Sequence, residues 1–261
     1  MKSKKKGKSK NLHLAFYFGF LVILIISVSA IFKSIDVIRK SKFDGTHRFT
    51  IAVIGQKSAS IISVSPEEGS MTSLNLNNIS NLTQFDLLEL PVDTRISKEP
   101  DFSLSPKKYF PKMLLNKGSL TTDLTTIDLL RLSIYALGID NEKIKKEQVS
   151  MKEPTKLSNL SSSLFTDQTI LREKVSIQIT NATDVSGLGN RLAKYITNMG
   201  GSVVLVNSSK DTKGSSEITY RQDSYTLKKL MKILDIPAQK KETNSISDIV
   251  IIIGKDKEDF K

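Results

Sequence analysis

One uninterrupted apolar run near the start of the chain constrains its architecture more than any other feature. The run extends from Leu12 to Phe32 (LHLAFYFGFLVILIISVSAIF), is 21 residues long and has no charged residue apart from the titratable His13. A helix of about 20 apolar residues crosses the hydrocarbon core of a bilayer, which is about 30 Å thick. The run therefore predicts one transmembrane helix over residues 12–32, with the lipid bilayer as a partner.

The charges around this run predict its orientation. Six lysines and no acidic residue fall within residues 2–10, and short cationic segments stay on the cytoplasmic side of a membrane. We therefore interpret residues 1–11 as a cytoplasmic tail, residues 33–48 as a stalk and the remainder as extracytoplasmic. Val28-Ser29-Ala30 leaves open a cleaved signal peptide as the alternative, and either alternative exports the rest of the chain.

Composition excludes several classes of site and partner. The chain has no cysteine and only two histidines, which excludes disulfides, thiol chemistry and a Cys/His zinc site. Of the net charge of +12, six charges belong to lysines of the N-terminal tail, so the remainder is only mildly basic. Because the sequence contains no basic patch interleaved with aromatic residues, we predict no nucleic-acid partner. We identify no metal or cofactor site.

Hydrophobic periodicity predicts the α/β fold class, with two small domains after the membrane helix. The first, at 49–139, is predicted from short apolar runs and two amphipathic segments. Its elements are strands at 49–55, 60–64 and 71–76, a further apolar run at 86–92, and helices at 106–117 and 122–137. A charge run, Pro154 and a serine-rich stretch indicate a linker over residues 140–173.

The second domain, at 174–256, has the clearer pattern. Alternating and near-continuous apolar runs predict its strands, and apolar residues spaced three or four apart predict its helices. The predicted elements are strands at 174–179, 202–206, 217–221 and 248–253, with helices at 186–199 and 224–234. The order β-α-β-β-α-β predicts a two-layer unit, and the last strand has the continuous apolar character that is typical of a central strand.

Two motifs, one at each end of this domain, resemble those of the LytR C-terminal domain. Val175 to Thr183 (VSIQITNAT), followed by Gly187-Leu188, is similar to the pattern V-x-V-x-N-(G/A)-T … G-L-A. Asp248 to Asp256 (DIVIIIGKD) is similar to the closing pattern D-(I/V)-x-(I/V)-x-x-G-x-D. The resemblance implies a bacterial cell-envelope protein that associates with wall glycan or other envelope proteins, and it implies no reaction.

The first of these motifs also supplies candidate ligand-binding residues. Asn181 and Thr183 follow a strand, and Gly187 precedes a helix. Their side chains can serve as turn and cap groups that hydrogen-bond the local backbone. The alternative is that Asn181, Thr183 and Gly187 form a site for an anionic or sugar ligand, because helix N-termini attract negative charge.

The first domain resembles the catalytic LytR-CpsA-Psr (LCP) domain in a degenerate form. Glu89-Leu90-Pro91-Val92-Asp93-Thr94 corresponds to the family pattern S-I-P-R-D-T, so Asp93 and Thr94 match while Val92 replaces the arginine that binds diphosphate. An arginine fork holds phosphate oxygens bidentately, whereas valine donates no hydrogen bond. The remaining candidate catalytic residues are Asp93 and Arg95, although Arg95 and its neighbour Thr94 would point to opposite faces of a strand.

Three functions are compatible with these features. The preferred one is a membrane-anchored, non-catalytic binding or scaffolding protein of the cell envelope. The alternative is a magnesium-dependent phosphotransferase that moves a glycopolymer from a polyprenyl-diphosphate carrier to the cell wall, with Lys57, Arg95, Lys107 or Lys108 as the basic residue beside Asp93. A DNA-binding regulator is the third, and the topology disfavours it because only eleven residues would remain in the cytoplasm.

Overall fold

The structure, a computed structural model, describes residues 8–79, 90–98, 100–101, 104–150, 160, 164–241 and 245–258. Within these ranges the chain forms mixed α/β structure around two β-sheets, which confirms the α/β part of the predicted fold class. Most of the predicted apolar run at 86–92 and most of the serine-rich stretch lie outside the described residues.

The apolar run near the start of the chain lies in one long helix, α1 (Lys8–Arg39). Across the described ranges, no helix has the combination of length and apolar content that a membrane crossing demands. The helix extends seven residues beyond Phe32 into the predicted stalk, and no regular element follows between residues 40 and 48.

The first sheet has six strands in the order β5-β4-β1-β2-β3-β6. β1 (Phe49–Ile54), β2 (Ser58–Ser65) and β3 (Ser70–Asn77) form an antiparallel meander at the three predicted positions. β4 (Thr94–Ser97) pairs in parallel with β1, and β5 (Thr121–Thr122) pairs antiparallel with β4. The parallel pairing of β4 with β1 places the segment that precedes β4, which contains Asp93, beside the start of β1.

Apolar side chains cover both faces of this sheet. The predicted helices are present as α2 (Pro106–Leu115) and α3 (Thr126–Gly138), and they share one core with alternate residues of β1, Phe49, Ile51 and Val53. The other alternate residues, Ala52 and Ile54, belong to a second core that includes Phe165. Successive strand residues point to opposite faces, so a strand covered on both sides is apolar throughout its length.

Two segments of the predicted linker at 140–173 form regular elements. Residues 144–150 form β6 (Ile144–Ser150), which pairs in parallel with β3 along seven residues. Farther along, α4 (Gln168–Glu173) forms a short helix capped by Asp167. β6 is an edge strand with exposed lysines and few apolar residues. Its backbone pairing with β3 defines it as a strand, whereas its sequence has no apolar alternation. β4 was missed for a related reason, since four residues give too short a pattern.

The second sheet has five strands in the order β10-β9-β11-β7-β8. Its elements follow the predicted β-α-β-β-α-β order with one additional short strand, β10. They are β7 (Ser176–Asn181), α5 (Leu188–Asn198), β8 (Ser202–Ser208), β9 (Glu217–Tyr220), α6 (Tyr225–Leu234), β10 (Ala238–Lys240) and β11 (Ile249–Ile253). β11 is central, between β9 and β7, as its apolar sequence predicted. Only its alternate residues Ile249, Ile251 and Ile253 are fully buried, because helices cover one face of the sheet.

The irregular stalk is fixed to the first domain by one buried carboxylate. Asp128 caps α3 through Thr125, and its Oδ1 accepts hydrogen bonds from Ser41 Oγ (2.6 Å) and from the backbone N–H groups of Lys42 and Phe43 (both 2.8 Å). Burial alone would raise the pKa of Asp128, but the hydrogen bonds from Ser41, Phe43 and Thr125 lower it below its ordinary value. The charged carboxylate therefore holds the chain at a defined place three residues after α1 ends.

Gly254, in the closing motif of the second domain, has no room for a side chain. A Cβ at this position would lie 2.5 Å from the carbonyl carbon and 2.7 Å from the carbonyl oxygen of Ser215. We expect Gly254→Ala to lower the free energy of unfolding by about 1–3 kcal/mol, the usual cost of overpacking. Denaturant titration of the full-length chain in detergent measures this change.

Gly214→Ala is the matched control, because a Cβ there meets no atom within 4 Å. We expect its free energy of unfolding to stay within about 0.5 kcal/mol of the wild-type value. Equal stability of the two variants would contradict the close packing of Gly254 against Ser215.

Candidate functional site

Asp93 lies at the junction of the two domains. Its backbone N–H donates to Thr50 O (2.8 Å), and its Oδ2 accepts from the Thr50 N–H (2.8 Å), so the start of β1 fixes both its backbone and its carboxylate. The side chain is 9% exposed. The candidate carboxylate is therefore held rigidly and lies almost out of contact with solvent.

A lysine of the second domain occupies the other oxygen of this carboxylate. Lys229 on α6 forms an ion pair with Asp93 Oδ1 at 2.5 Å, and only 11% of its side chain is exposed. Its Nζ also donates to the backbone oxygen of Arg48 (3.0 Å). Removal of two charges from water is costly, and it is compensated only where both ions also form good hydrogen bonds. Asp93 and Lys229 both meet this condition.

A second helix of the same domain contacts the residue before Asp93. The Tyr195 hydroxyl, on α5, accepts from the Val92 N–H (3.2 Å) and lies 3.3 Å from Val92 O, to which it donates. Burial and the negative charge of Asp93 raise the pKa of Tyr195, which keeps the phenol neutral. Tyr195 thus hydrogen-bonds the backbone of Val92, the position where the LCP pattern has arginine. The neighbouring residue, Ile196, points into the core of the second domain.

Arg48 lines the cavity at this junction together with Asp93 and Lys229, and the two terminal nitrogens of its guanidinium are bonded within the protein. Its guanidinium donates to Ser63 Oγ (3.0 Å), to Leu164 O (2.8 Å) and to Glu68 Oε2 (2.7 Å). Its side chain is 7% exposed. Arg48 therefore links the start of β1 to β2 and to the segment before α4 through its terminal nitrogens, while its buried Nε has no hydrogen-bond partner among the described residues.

The basic residues that the sequence suggested as partners of Asp93 do not line the cavities beside it. Among the described residues, those cavities are lined by cations of the stalk and of α6 instead, namely Lys42, Arg48, Lys228, Lys229 and Lys232. Arg95 is exposed on β4, where Thr94 and Ile96 on either side are buried. Lys57 and Lys108 are exposed and Lys107 is half-buried. None of these four lines either cavity.

Sequence reasoning missed Lys229 and Tyr195, which make the contacts to the Asp93 segment. Lys229 stands beside Leu227 and Leu230, which face the domain core. A lysine next to a core position is ordinarily solvated, so nothing in the local pattern distinguishes this one. The only available signal was the concentration of lysines at 228, 229 and 232 on one helix.

Asn181 and Thr183 make hydrogen bonds within the turn, as the turn-and-cap interpretation predicted. Asn181 Nδ2 donates to Val185 O (2.8 Å), while its Oδ1 accepts from the N–H (3.1 Å) and hydroxyl (2.8 Å) of Thr183. Gly187 precedes α5 with φ of +78°, a conformation that favours glycine. These contacts account for the motif structurally. The alternative ligand-binding role remains a prediction.

A magnesium ion does not fit the Asp93 site as the structure arranges it. One carboxylate oxygen is bonded to the Thr50 N–H and the other to the Lys229 ammonium. Magnesium requires oxygen ligands in near-octahedral geometry, whereas this site offers an ammonium group. In the described part of the chain, no three His, Asp or Glu side chains converge as a metal-binding group.

The ion pair between Asp93 and Lys229 makes a testable contribution to stability. Lys229→Met leaves a buried carboxylate without its counter-ion, so we expect a loss of about 3–5 kcal/mol in the free energy of unfolding. In Asp93→Asn/Lys229→Met both charges are absent and the asparagine can still accept from Thr50, so we expect most of that loss to be recovered. Denaturant titration of the four proteins gives the coupling energy. Additive losses would show that the two side chains do not interact.

Comparison with known proteins identifies one part of the chain. Residues 174–256 match the family model described as "LytR cell envelope-related transcriptional attenuator". No curated protein matches the chain. The crystal structure of the transcriptional regulator yvhJ from Bacillus subtilis aligns with 46% of this chain and 98% of its own, at 12% identity and a TM-score of 0.34. Residues 174–256 therefore form a LytR C-terminal domain.

Proposed function

We propose that this protein is a membrane-anchored cell-envelope protein whose LytR C-terminal domain closes over the Asp93 segment of the first domain. The observation that carries the proposal is the buried ion pair between Asp93 and Lys229. In this arrangement the first domain serves as a binding or scaffolding module. Its partners are wall glycan or other envelope proteins, in keeping with the envelope-related description of the matched family.

The character of α1 supports the anchor. Its large apolar side chains project outward from the helix and are mostly exposed, with Phe16 73%, Ile23 64% and Phe32 69% accessible. Exposed apolar area on this scale marks a surface that contacts lipid or another protein. The lysine-rich tail before the run favours a cytoplasmic N-terminus, and the two domains then lie on the extracytoplasmic side.

The contacts of the Asp93 segment support a non-catalytic role. The alternative phosphotransferase needs a carboxylate open to a metal and an arginine that holds the diphosphate oxygens bidentately. Here both oxygens of Asp93 are hydrogen-bonded, and Val92 stands where the related enzymes have arginine. Loss of one transition-state donor costs about a hundredfold to a thousandfold in rate, so the combined departures leave no effective catalytic apparatus at this position.

An activity assay distinguishes the non-catalytic binding module from the alternative phosphotransferase. With purified full-length protein, magnesium and a polyprenyl-diphosphate-linked glycan, we expect release of polyprenyl phosphate to stay at the background rate. Asp93→Asn should give the same rate, because its carboxylate performs no chemistry. An active LCP enzyme assayed in parallel is the positive control. Magnesium-dependent turnover by the wild-type protein that Asp93→Asn abolishes would establish the phosphotransferase instead.

A protease-accessibility experiment tests the location. In cells from which the wall has been removed, external protease should degrade a C-terminal tag, while a tag placed before residue 8 should survive until the membrane is permeabilised. An intact cytoplasmic marker controls for lysis. Protection of the C-terminal tag in intact cells would refute the extracytoplasmic placement, and release of the full chain by salt washing would refute the anchor.

A further inference from the structure

We propose that the recess between the stalk and α6 binds a phosphoryl group carrying at least two negative charges, either as a free phosphate anion or as the headgroup of a membrane lipid. The recess lies on the solvent side of the Asp93–Lys229 pair and has a volume of about 430 Å³. This volume falls within the range of about 300–1,000 Å³ that is usual for small-ligand sites.

The lining of the recess is strongly cationic. Five positive side chains face two carboxylates there, with His47, Phe49 and Tyr225 as further lining residues. The cations are Lys42, Arg48, Lys228, Lys229 and Lys232, and the carboxylates are Asp44 and Asp93. Clefts lined by charge of one sign concentrate the field between low-dielectric walls and attract counter-ions. The excess of positive charge therefore selects an anion as the ligand.

Two of these lysines remain available for a ligand. Lys42 pairs with Asp123, Arg48 with Glu68 and Lys229 with Asp93. Among the described residues, Lys228 and Lys232 have no carboxylate within salt-bridge distance, and the Lys232 ammonium donates to the backbone oxygen of Lys42 (2.7 Å). They are four positions apart on α6, so both side chains lie on the same side of the helix.

Neighbouring lysines act on the ammonium group of Lys232. Burial, together with repulsion from Lys229 and Lys42, lowers the pKa of Lys232, although the negative charge of Asp93 acts in the opposite direction. A bound phosphate would offset the repulsion among these three ammonium groups. Lysine is well suited to such a ligand because it acts as a compact point charge with three donors.

The other wall of the recess is built to be rigid. The ring of His47 stacks on Tyr225 with 3.8 Å between centroids and 16° between planes. Asp44 accepts from the backbone N–H groups of Thr46 (2.8 Å) and His47 (3.0 Å). Although burial opposes it, these hydrogen bonds lower the pKa of Asp44 to about 2. The Asp44 carboxylate is thus hydrogen-bonded within the stalk turn, and it competes little with an anionic ligand for the lysines.

The N-terminus of α6 is not the binding element. Glu173 already accepts from the N–H groups of Tyr225 (2.8 Å) and Thr226 (2.7 Å) there. An anion would therefore be held by side chains of the stalk and of the next helical turn. This arrangement needs both domains in place, because Lys42 and His47 belong to the stalk and the other lysines belong to α6.

The position of the recess relates it to the membrane if α1 is the anchor, and this part of the inference rests on the proposed function. Lys42 follows the end of α1 at Arg39 by three residues, a distance of at most about 10 Å along the chain. The seven residues of α1 after Phe32 add about 10 Å to this distance, so the lysines would then lie within about 20 Å of the outer hydrocarbon boundary. A lipid phosphate is therefore one of the two sources that the experiment compares.

Calorimetric titration of the full-length protein in detergent with inorganic pyrophosphate tests the site. We expect saturable binding that Lys228→Gln/Lys232→Gln weakens about tenfold or more and that Lys228→Arg/Lys232→Arg retains. The matched control is Lys240→Gln/Lys241→Gln, which removes the same charge from exposed positions of the same domain outside the recess. We expect it to bind within about twofold of the wild-type protein. Absence of saturable binding, or equal weakening in the recess variant and the control, would overturn the site.

A second arm identifies the source of the phosphoryl group. Mixed micelles doped with phosphatidic acid are titrated against the same proteins, with phosphatidylcholine micelles as the blank. Tighter binding of phosphatidic acid than of pyrophosphate, lost in Lys228→Gln/Lys232→Gln, would support the lipid headgroup. Binding of pyrophosphate alone would support the free anion. The pyrophosphate arm requires no membrane, so it succeeds or fails independently of the proposed anchor.

Discussion

The ion pair between Asp93 and Lys229 determines how the two halves of this protein fit together. Each charge is nearly out of contact with water, and each is stabilised by an additional backbone contact, from Thr50 to the carboxylate and from the ammonium to Arg48 O. A buried charge without its partner is strongly destabilising. The second domain therefore docks on the first in one favoured orientation. Asp93, which the LCP resemblance indicated as a catalytic candidate, instead stabilises the interface between the two domains.

The stalk takes part in the same interface. Asp128 binds the backbone of residues 42 and 43, while Lys232 and Lys229 on α6 donate to the carbonyl oxygens of Lys42 and Arg48. The segment that leads out of α1 is thus held between the two domains by hydrogen bonds from both. These hydrogen bonds hold the stalk in place at the end of α1. The stalk in turn lines the cationic recess with Lys42, Asp44 and His47.

The elements that the sequence predicted well were those with their own periodicity. Phe49–Ile54 and Ile249–Ile253 are apolar runs of strand length, and the helix that contains Leu227 and Leu230 has an apolar face at helical spacing. β6 escapes prediction because an edge strand with lysines has no apolar alternation. The candidate site was found only in part: the motif pointed to Asp93, whereas nothing local to Lys229 or Tyr195 revealed that they meet it.

The α/β class, the order of elements in the second domain and the LytR C-terminal motifs follow from local sequence, because they depend on patterns within a few neighbouring residues. The surroundings of Asp93, in contrast, follow from the three-dimensional fold. Positions 93 and 229 are far apart along the chain, and their proximity arises from the contact between two domains that have distinct cores. Burial, hydrogen-bond partners and counter-ions are properties of that docking, so whether a carboxylate is a free ligand or half of an ion pair cannot be read from the residues beside it.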